Sequence, residues 1–227
     1  MYKRQGEYGL TGWHASYSAN PPLLGTYVYK KNKRSDVRKE FNDMMFLLVR
    51  EKKIKTVILT AFWAKYSTDY DDESFNLSGN SVEKEKIFVE SFVATVKFFR
   101  ENGVDLWIIK DVPSYDFDVS HALAKNAIYG DINSVSQSWL GHNQRLVLMD
   151  RLLAEARHER LNFIDPSVTL CKEGTCITHS EGKSLYHDNN HLSSTGTRLV
   201  KDSFAPFFVQ ALAKKNQNLR TNMAIND

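Results

Sequence analysis

The sequence predicts an α/β domain built around a parallel sheet, and three observations carry that expectation. Strand-like and helix-like runs alternate along the chain, the order that βαβ units produce. One run, residues 56–63 (Thr-Val-Ile-Leu-Thr-Ala-Phe-Trp), is apolar or β-branched almost throughout, as in a strand covered on both faces. The helix-like runs carry single apolar stripes, the mark of helices that lie on a sheet.

In chain order, strands are expected at residues 10–17, 56–63, 105–112 and 161–164, and helices at 36–53, 82–102, 141–160 and 194–215. In the second helix Phe88, Phe92, Val96 and Phe99 recur at spacings of three and four, and Asn102-Gly103 supplies its C-terminal stop. In the third, Leu146, Met149, Leu153 and Ala156 repeat the pattern with charge on the opposite face. Stripes of this kind are core-facing. Two longer loops, 64–81 and 114–138, follow the second and third strands, and the later one has room for a short helix. Ligands of doubly wound sheets bind beyond the carboxyl ends of the strands, so both loops emerge where a substrate would sit. Residues 1–215 read as one domain and 216–227 as a polar tail.

The length of 227 residues suits one such domain, and 42% hydrophobic residues suffice for one core. Thirty basic and 27 acidic residues leave a net charge of +3, too balanced for a nucleic-acid footprint. The short basic runs Lys30-Lys31-Asn32-Lys33-Arg34 and Lys52-Lys53 read as solvated faces or loop ends. No run of 18 apolar residues could span a bilayer, and the first nine residues lack the apolar core of a signal peptide. The only two cysteines, Cys171 and Cys176, flank a Lys-Glu-Gly-Thr turn. That spacing suits a small disulfide-closed loop, which persists in an oxidising compartment. Two separate buried thiols are the alternative; zinc would require two further ligands that no second Cys pair supplies.

The chemistry-bearing pattern lies in Tyr186-His187-Asp188-Asn189-Asn190-His191-Leu192-Ser193. An Asp and a His three apart on one turn can form the orienting half of an acyl-transfer triad, in which the carboxylate holds the imidazole and the far ring nitrogen takes the nucleophile's proton. Ser193 or Ser194 then caps the last helix and ties that turn to a rigid element. Two other readings of the same residues stay open. His187 and His191, four apart around Asp188, could begin a metal site, although further ligands would be needed. A polar loop whose His bonds only backbone is the plain alternative.

Five stretches carry a resemblance. They are Asn162-Phe163-Ile164-Asp165-Pro166; Leu170-Cys171 with Cys176; the block from Leu185 through Gly196; and, upstream, Ala15 through Gly25 together with Val57 through Ala64. In this order they resemble the SGNH domain fused to integral-membrane acyltransferases of the acyltransferase-3 type, bacterial enzymes that O-acylate cell-envelope glycans. The likeness covers most of residues 10–212, and Tyr-x-Asp-x-x-His-Leu-Ser-x-x-Gly is its most specific part. Asn20 stands where the family commonly has Cys.

The resemblance implies an SGNH-hydrolase-like, flavodoxin-like three-layer sandwich. It makes His191 the general base and Asp188 its orienting acid, pairs Cys171 with Cys176, and puts Trp63 and Tyr186 beside the substrate. It implies no cofactor and no metal. Its partners would be an envelope glycan substrate and the membrane acyltransferase module of the parent protein, in a periplasmic or extracytoplasmic location. The family's nucleophile is the Ser of a Gly-Asp-Ser-His block on the turn after the first strand, and this sequence has no Gly-Asp-Ser and no Gly-x-Ser-x-Gly. The expectation is therefore that the first strand and the nucleophile belong upstream of Met1, in a longer protein. No Gly-x-Asn-Asp follows the 56–63 strand, so the family's oxyanion donor has no clear match. Three functions fit: O-acyltransferase, carbohydrate esterase, or a non-catalytic glycan-binding domain. For the last, Tyr66, Tyr70, Tyr115, Tyr129 and Trp139 are the candidate sugar-stacking rings.

Overall fold

The computed structural model describes residues 9–67 and 75–224, with side chains to residue 216. In chain order, β1 (Val28–Lys30) and β2 (Lys33–Ser35) form an antiparallel hairpin, and α1 (Asp36–Glu51) follows at once. Lys31 and Asn32 turn the hairpin at positive φ, as two-residue primed turns require. Next come β3 (Thr56–Thr60), the short α2 (Trp63–Ser67), α3 (Ser81–Glu101), β4 (Asp105–Ile109) and α4 (Val119–Tyr129). The order continues with β5 (Gln137–Ser138), α5 (Trp139–Glu155), β6 (Leu161–Ile164) and α6 (Ser167–Leu170). The two-residue strands β7 (Cys171–Lys172), β8 (Thr175–Cys176), β9 (His179–Ser180) and β10 (Lys183–Ser184) precede α7 (Ser194–Leu199) and, after a 3₁₀ turn at Val200–Phe204, α8 (Ala205–Ala224).

The sheet is parallel in the order β3-β4-β6, with Thr56 opposite Asp105 and Leu106 opposite Leu161. Pleating sends alternate residues of β4 to opposite faces. Leu106 and Ile108 join Phe46 of α1, the α3 stripe Phe88, Phe92, Val96 and Phe99, and Met149, Leu152 and Leu153 of α5 in one core. Trp107 turns the other way and packs with Ile164, Phe207 and Phe208 beneath α8. Its indole meets the Phe207 ring edge-on at 5.5 Å and donates to Gln210 Oε1. The result is three layers, helices on both faces of a sheet. At the start of β4, buried Asp105 accepts from Arg160 and Lys214, which ties α8 to the sheet.

Four sequence expectations are corrected. Residues 10–17 form no strand; Leu10 packs against the Trp107 cluster, and among the described residues β3 pairs only with β4, so this run has no partner. The run 56–63 splits, with pairing ending at Thr60 and a helix starting at Trp63. The helix expected at 194–215 is broken at its middle. Pro206 has no N–H and its ring would crowd the carbonyl of residue 202, so the chain tightens into a 3₁₀ turn and begins a new helix with Pro in its first turn. That helix then runs to Ala224, through most of the stretch expected as a tail.

The remaining helices follow their stripes. α3 covers the span expected for it to within one residue and starts on a capping box, in which Asn80 Oδ1 accepts from Glu83 N and Glu83 Oε2 accepts from Asn80 N. The Asn20-Pro21-Pro22 loop is held from α1. Buried Asn42 donates to the carbonyls of Pro21 (2.8 Å) and Leu23 (3.2 Å), and its Oδ1 accepts from Asn20 Nδ2 at 2.9 Å. At this position a hydrogen-bonded Asn pair does the anchoring.

Candidate active site

The carboxyl end of the sheet is where the sequence-singled residues collect. Residues 114–118, beyond β4, run against the Asp188–His191 turn: Tyr115 N donates to Asn189 O at 2.8 Å and Val119 N to Asp188 O at 3.3 Å. Arg145 of α5 fixes this segment, donating from Nη1 to Ser114 O and Oγ and from Nη2 to Asp116 Oδ1 at 3.1 Å. Behind the turn lies a third apolar cluster of Tyr115, Val119, Leu123, Leu170, Cys171, Cys176, Leu185, Tyr186 and Val200. The turn thus sits on a packed floor.

The turn closes on itself. His187 N donates to His191 O at 2.7 Å, and Ser193 N to Leu185 O at 2.8 Å. Ser193 is the cap of α7: its Oγ accepts from Thr195 N and Gly196 N and donates to Ser184 O at 2.7 Å. One hydroxyl therefore joins the helix start to β10. Gly196 is required by close approach, because a Cβ there would lie 2.1 Å from Leu185 O. The Ser-x-x-Gly spacing is the local reason the turn and α7 stay in register.

Within that frame Asp188 has three donors. Its Oδ1 accepts from Asn190 N (2.9 Å) and His191 N (2.8 Å), and its Oδ2 lies 2.7 Å from His191 Nδ1. Burial works against ionisation, but the two backbone N–H groups and the imidazole hold the carboxyl below the usual carboxylate range. An ionised Oδ2 at this distance fixes the tautomer: Nδ1 carries the proton and donates it, which leaves Nε2 as the acceptor. The His191 side chain is 75% exposed, so Nε2 is open to a reacting group. Lys183, Ser184, His187, His191, Leu192, Ser193, Ser194 and Thr195 line a shallow groove of about 680 Å³ around it.

The other residues expected at the site are placed differently. Trp63 is fully buried, with its indole N–H donated to Ile109 O and its ring against Phe88. Tyr186 is 1% exposed and meets Tyr115 edge-on at 5.1 Å; burial raises both phenols, that of Tyr115 to about 12. Neither Trp63 nor Tyr186 presents a ring to the groove. Of the candidate stacking rings, Tyr66 and Tyr115 are buried, Tyr129 and Trp139 are exposed, and Tyr70 lies outside the described residues. Cys171 and Cys176 are disulfide-bonded across the β7–β8 turn.

Two groups that sequence reasoning passed over also sit at the strand ends. Asp111 accepts from the backbone N–H of Trp63 and Ala64, 2.8 Å each, and so caps α2; burial still pushes its carboxyl up to about 7. Lys110 bridges Asp150 (2.8 Å) and Asp165 (2.7 Å) beside buried His142, whose imidazole burial pushes down to about 4. Both pairings join residues 40 or more positions apart, so no local pattern announces them. Among the described residues no group of three or more His, Cys, Asp or Glu side chains is placed to hold a metal ion, and no helix is long and apolar enough to cross a membrane.

A family model described as "SGNH domain (fused to AT3 domains)" matches residues 2–206. No curated protein sequence matches the chain. Among solved structures, the periplasmic domain of a lipopolysaccharide acetyltransferase of Salmonella ser. Paratyphi A aligns with a TM-score of 0.64. The alignment covers 92% of this chain and 77% of that one at 13% identity. At such identity the likeness is one of fold.

Proposed function

The chain belongs to the family of SGNH domains fused to AT3 domains, and from that premise we propose that it is an extracytoplasmic acyl-transfer domain acting on cell-envelope glycans. The observation that carries this reading is the 2.7 Å contact of His191 Nδ1 with Asp188 Oδ2, on a capped turn that leaves Nε2 exposed. His191 is the general base and Asp188 its orienting acid. Nε2 takes the proton of a serine Oγ as that oxygen attacks the acyl donor, then returns it to the leaving group. In the second half-reaction Nε2 takes the proton of a sugar hydroxyl as that oxygen attacks the serine ester, then gives it to the departing serine Oγ, which frees the O-acyl sugar and restores the serine. An acetyl group is the natural cargo, given the acetyltransferase named among similar folds.

The serine belongs to the Gly-Asp-Ser-His block of the family, which this sequence does not contain. The membrane acyltransferase module of the family would supply the acyl group, and a periplasmic setting fits the disulfide. If water takes the acyl group the same machinery is an esterase. The lack of Gly-Asp-Ser also favours a second reading, in which the chain is a non-catalytic glycan-binding domain with the Asp188–His191 pair idle.

Turnover of p-nitrophenyl acetate separates the readings. The chain is compared with a form extended at its N-terminus by the family's strand and Gly-Asp-Ser-His block. The extended form is expected to turn over ester, with His191→Ala reducing the rate by about 10³-fold or more. Asp188→Asn, which can stabilise the wrong tautomer, costs about 10²–10⁴-fold. Equal background in all four proteins would leave the glycan-binding reading.

A further inference from the structure

The groove around His191 has a charge pattern that acyl transfer alone does not call for. Lys183 enters it from the β9–β10 hairpin and His187 from the reactive turn, with hydroxyls from Ser184, Ser193, Ser194 and Thr195 around them. Arg198, one turn along α7, is tied to the groove through Thr195, donating from Nη2 to its Oγ1 at 3.4 Å. Among the described residues no Asp or Glu lines the groove. Three acids stand around it: Asp188, engaged with His191 and two backbone N–H groups; Asp118, which accepts from His121 N and from Ser120 Oγ beside the His187 carbonyl; and Glu181 at the hairpin turn. Among the described residues, neither Lys183 nor Arg198 has a carboxylate partner. By contrast, Lys110, Arg145, Arg151, Arg160 and Lys214 each meet one.

We infer that this groove is an acceptor subsite for an anionic group, a carboxylate or a phosphate, carried by the glycan that receives the acyl group. The inference rests on the acyl-transfer reading and names its substrate class: an acidic rather than a neutral polysaccharide. Lys183 and Arg198 supply point and planar cations, and the Ser194 and Thr195 hydroxyls donate to the anion's remaining oxygens. His187, exposed on the turn and with a ring that makes no hydrogen bond among the described residues, adds a further donor. An anion fixed here sets one sugar ring beside His191 Nε2, and so selects which hydroxyl loses its proton. Cations near a reacting site also concentrate an anionic chain around it.

Binding to the full chain tests this directly, read by ¹H–¹⁵N spectra of the backbone and His rings. Three probes are titrated: an oligogalacturonate, a phosphorylated oligosaccharide and a neutral malto-oligosaccharide. The acidic probe that matches the natural group is expected to bind about tenfold tighter than the neutral one. Its shifts should centre on residues 183–198, and its advantage should shrink as salt rises. Lys183→Gln and His187→Gln, each with an otherwise unchanged spectrum, should each weaken it by about threefold to fivefold. Preference for oligogalacturonate identifies a carboxylate, and preference for the sugar phosphate identifies phosphate. Equal affinity for the neutral probe overturns the inference, as does acidic binding that ignores both substitutions or no binding of any acidic probe. Ester turnover in the extended form fails or succeeds independently of this result, which separates the groove from the acyl chemistry.

Discussion

Asp188 shows how one short side chain does two jobs. Oδ1 collects two backbone N–H groups of its own turn, and that shapes the turn; Oδ2 is left for the imidazole. The carboxylate that orients His191 is thus the same one that folds the loop presenting it. Tyr115 N and Val119 N complete the frame by binding the turn's carbonyls from outside. At the same scale, His142 is a buried neutral imidazole near Asp165, Lys110, Arg145 and Asp150. Burial lowers its folded-state value to about 4, below the usual value of about 6.5 in an unfolded chain. As pH falls between those values the unfolded chain takes up the proton first, so stability is lost on acidification by up to about 3 kcal/mol. Asp111, pushed up to about 7, acts oppositely, since the folded state keeps its proton to higher pH. The stability of wild type minus that of His142→Leu isolates the first effect. Followed by urea unfolding from pH 7 to pH 4, that difference should shrink steadily; a flat difference would show that His142 is not buried neutral.

At the scale of elements, α7 is six residues long and owes its place to two contacts at its start. The Ser193 hydroxyl satisfies two helix N–H groups, and Gly196 lets Leu185 O come close. Gly196→Ala should therefore destabilise the protein by about 1–3 kcal/mol and shift the His187–His191 amide resonances, since the backbone of residue 185 must give way. Thermal unfolding with an amide spectrum checks both; an unchanged spectrum would contradict the close approach. The β7–β8 hairpin is just as short, and the Cys171–Cys176 bridge closes its six residues into a loop within the floor cluster. A loop that small constrains the unfolded chain by about 2 kcal/mol. The Cys171→Ala/Cys176→Ala protein should lose about that much in chemical denaturation and keep its fold. A mass gain of two alkyl groups only after reduction would verify the bridge.

At the scale of the molecule, the core is divided among two faces of the sheet and a third cluster under the Asp188–His191 turn. β4 is paired on both sides, whereas among the described residues β3 is paired on one, although its Thr-Val-Ile-Leu-Thr sequence is that of an inner strand. Amides of β4 should therefore exchange with solvent at least about 10²-fold more slowly than the outward-facing amides of β3. In the form extended by the Gly-Asp-Ser-His strand, those β3 amides should become protected while the outer amides of β6 do not. Absence of that protection would mean the added strand pairs elsewhere.

The sequence by itself determined the elements whose signal is periodic and local. The α3 and α5 stripes, the three strands of the parallel sheet, the Ser193 cap and the Asp188–His191 spacing were all legible, because each needs only neighbours within a few residues. Tertiary structure decided what depends on partners distant in the chain. Residues 10–17 have strand-like composition but no strand beside them, and β1 and β2 are three-residue, charge-bearing strands that show no alternation. The family resemblance put Trp63 and Tyr186 beside the substrate, yet Asp111 and Ile109 draw Trp63 into the core, and Tyr115 covers Tyr186. The Lys110–Asp150–Asp165 bridge and the cationic groove around His191 arise only when β4, α5, β6, the β9–β10 hairpin and α7 meet. Burial and charge pairing are properties of the packed whole, and a one-dimensional pattern carries them only where the fold keeps sequence neighbours together.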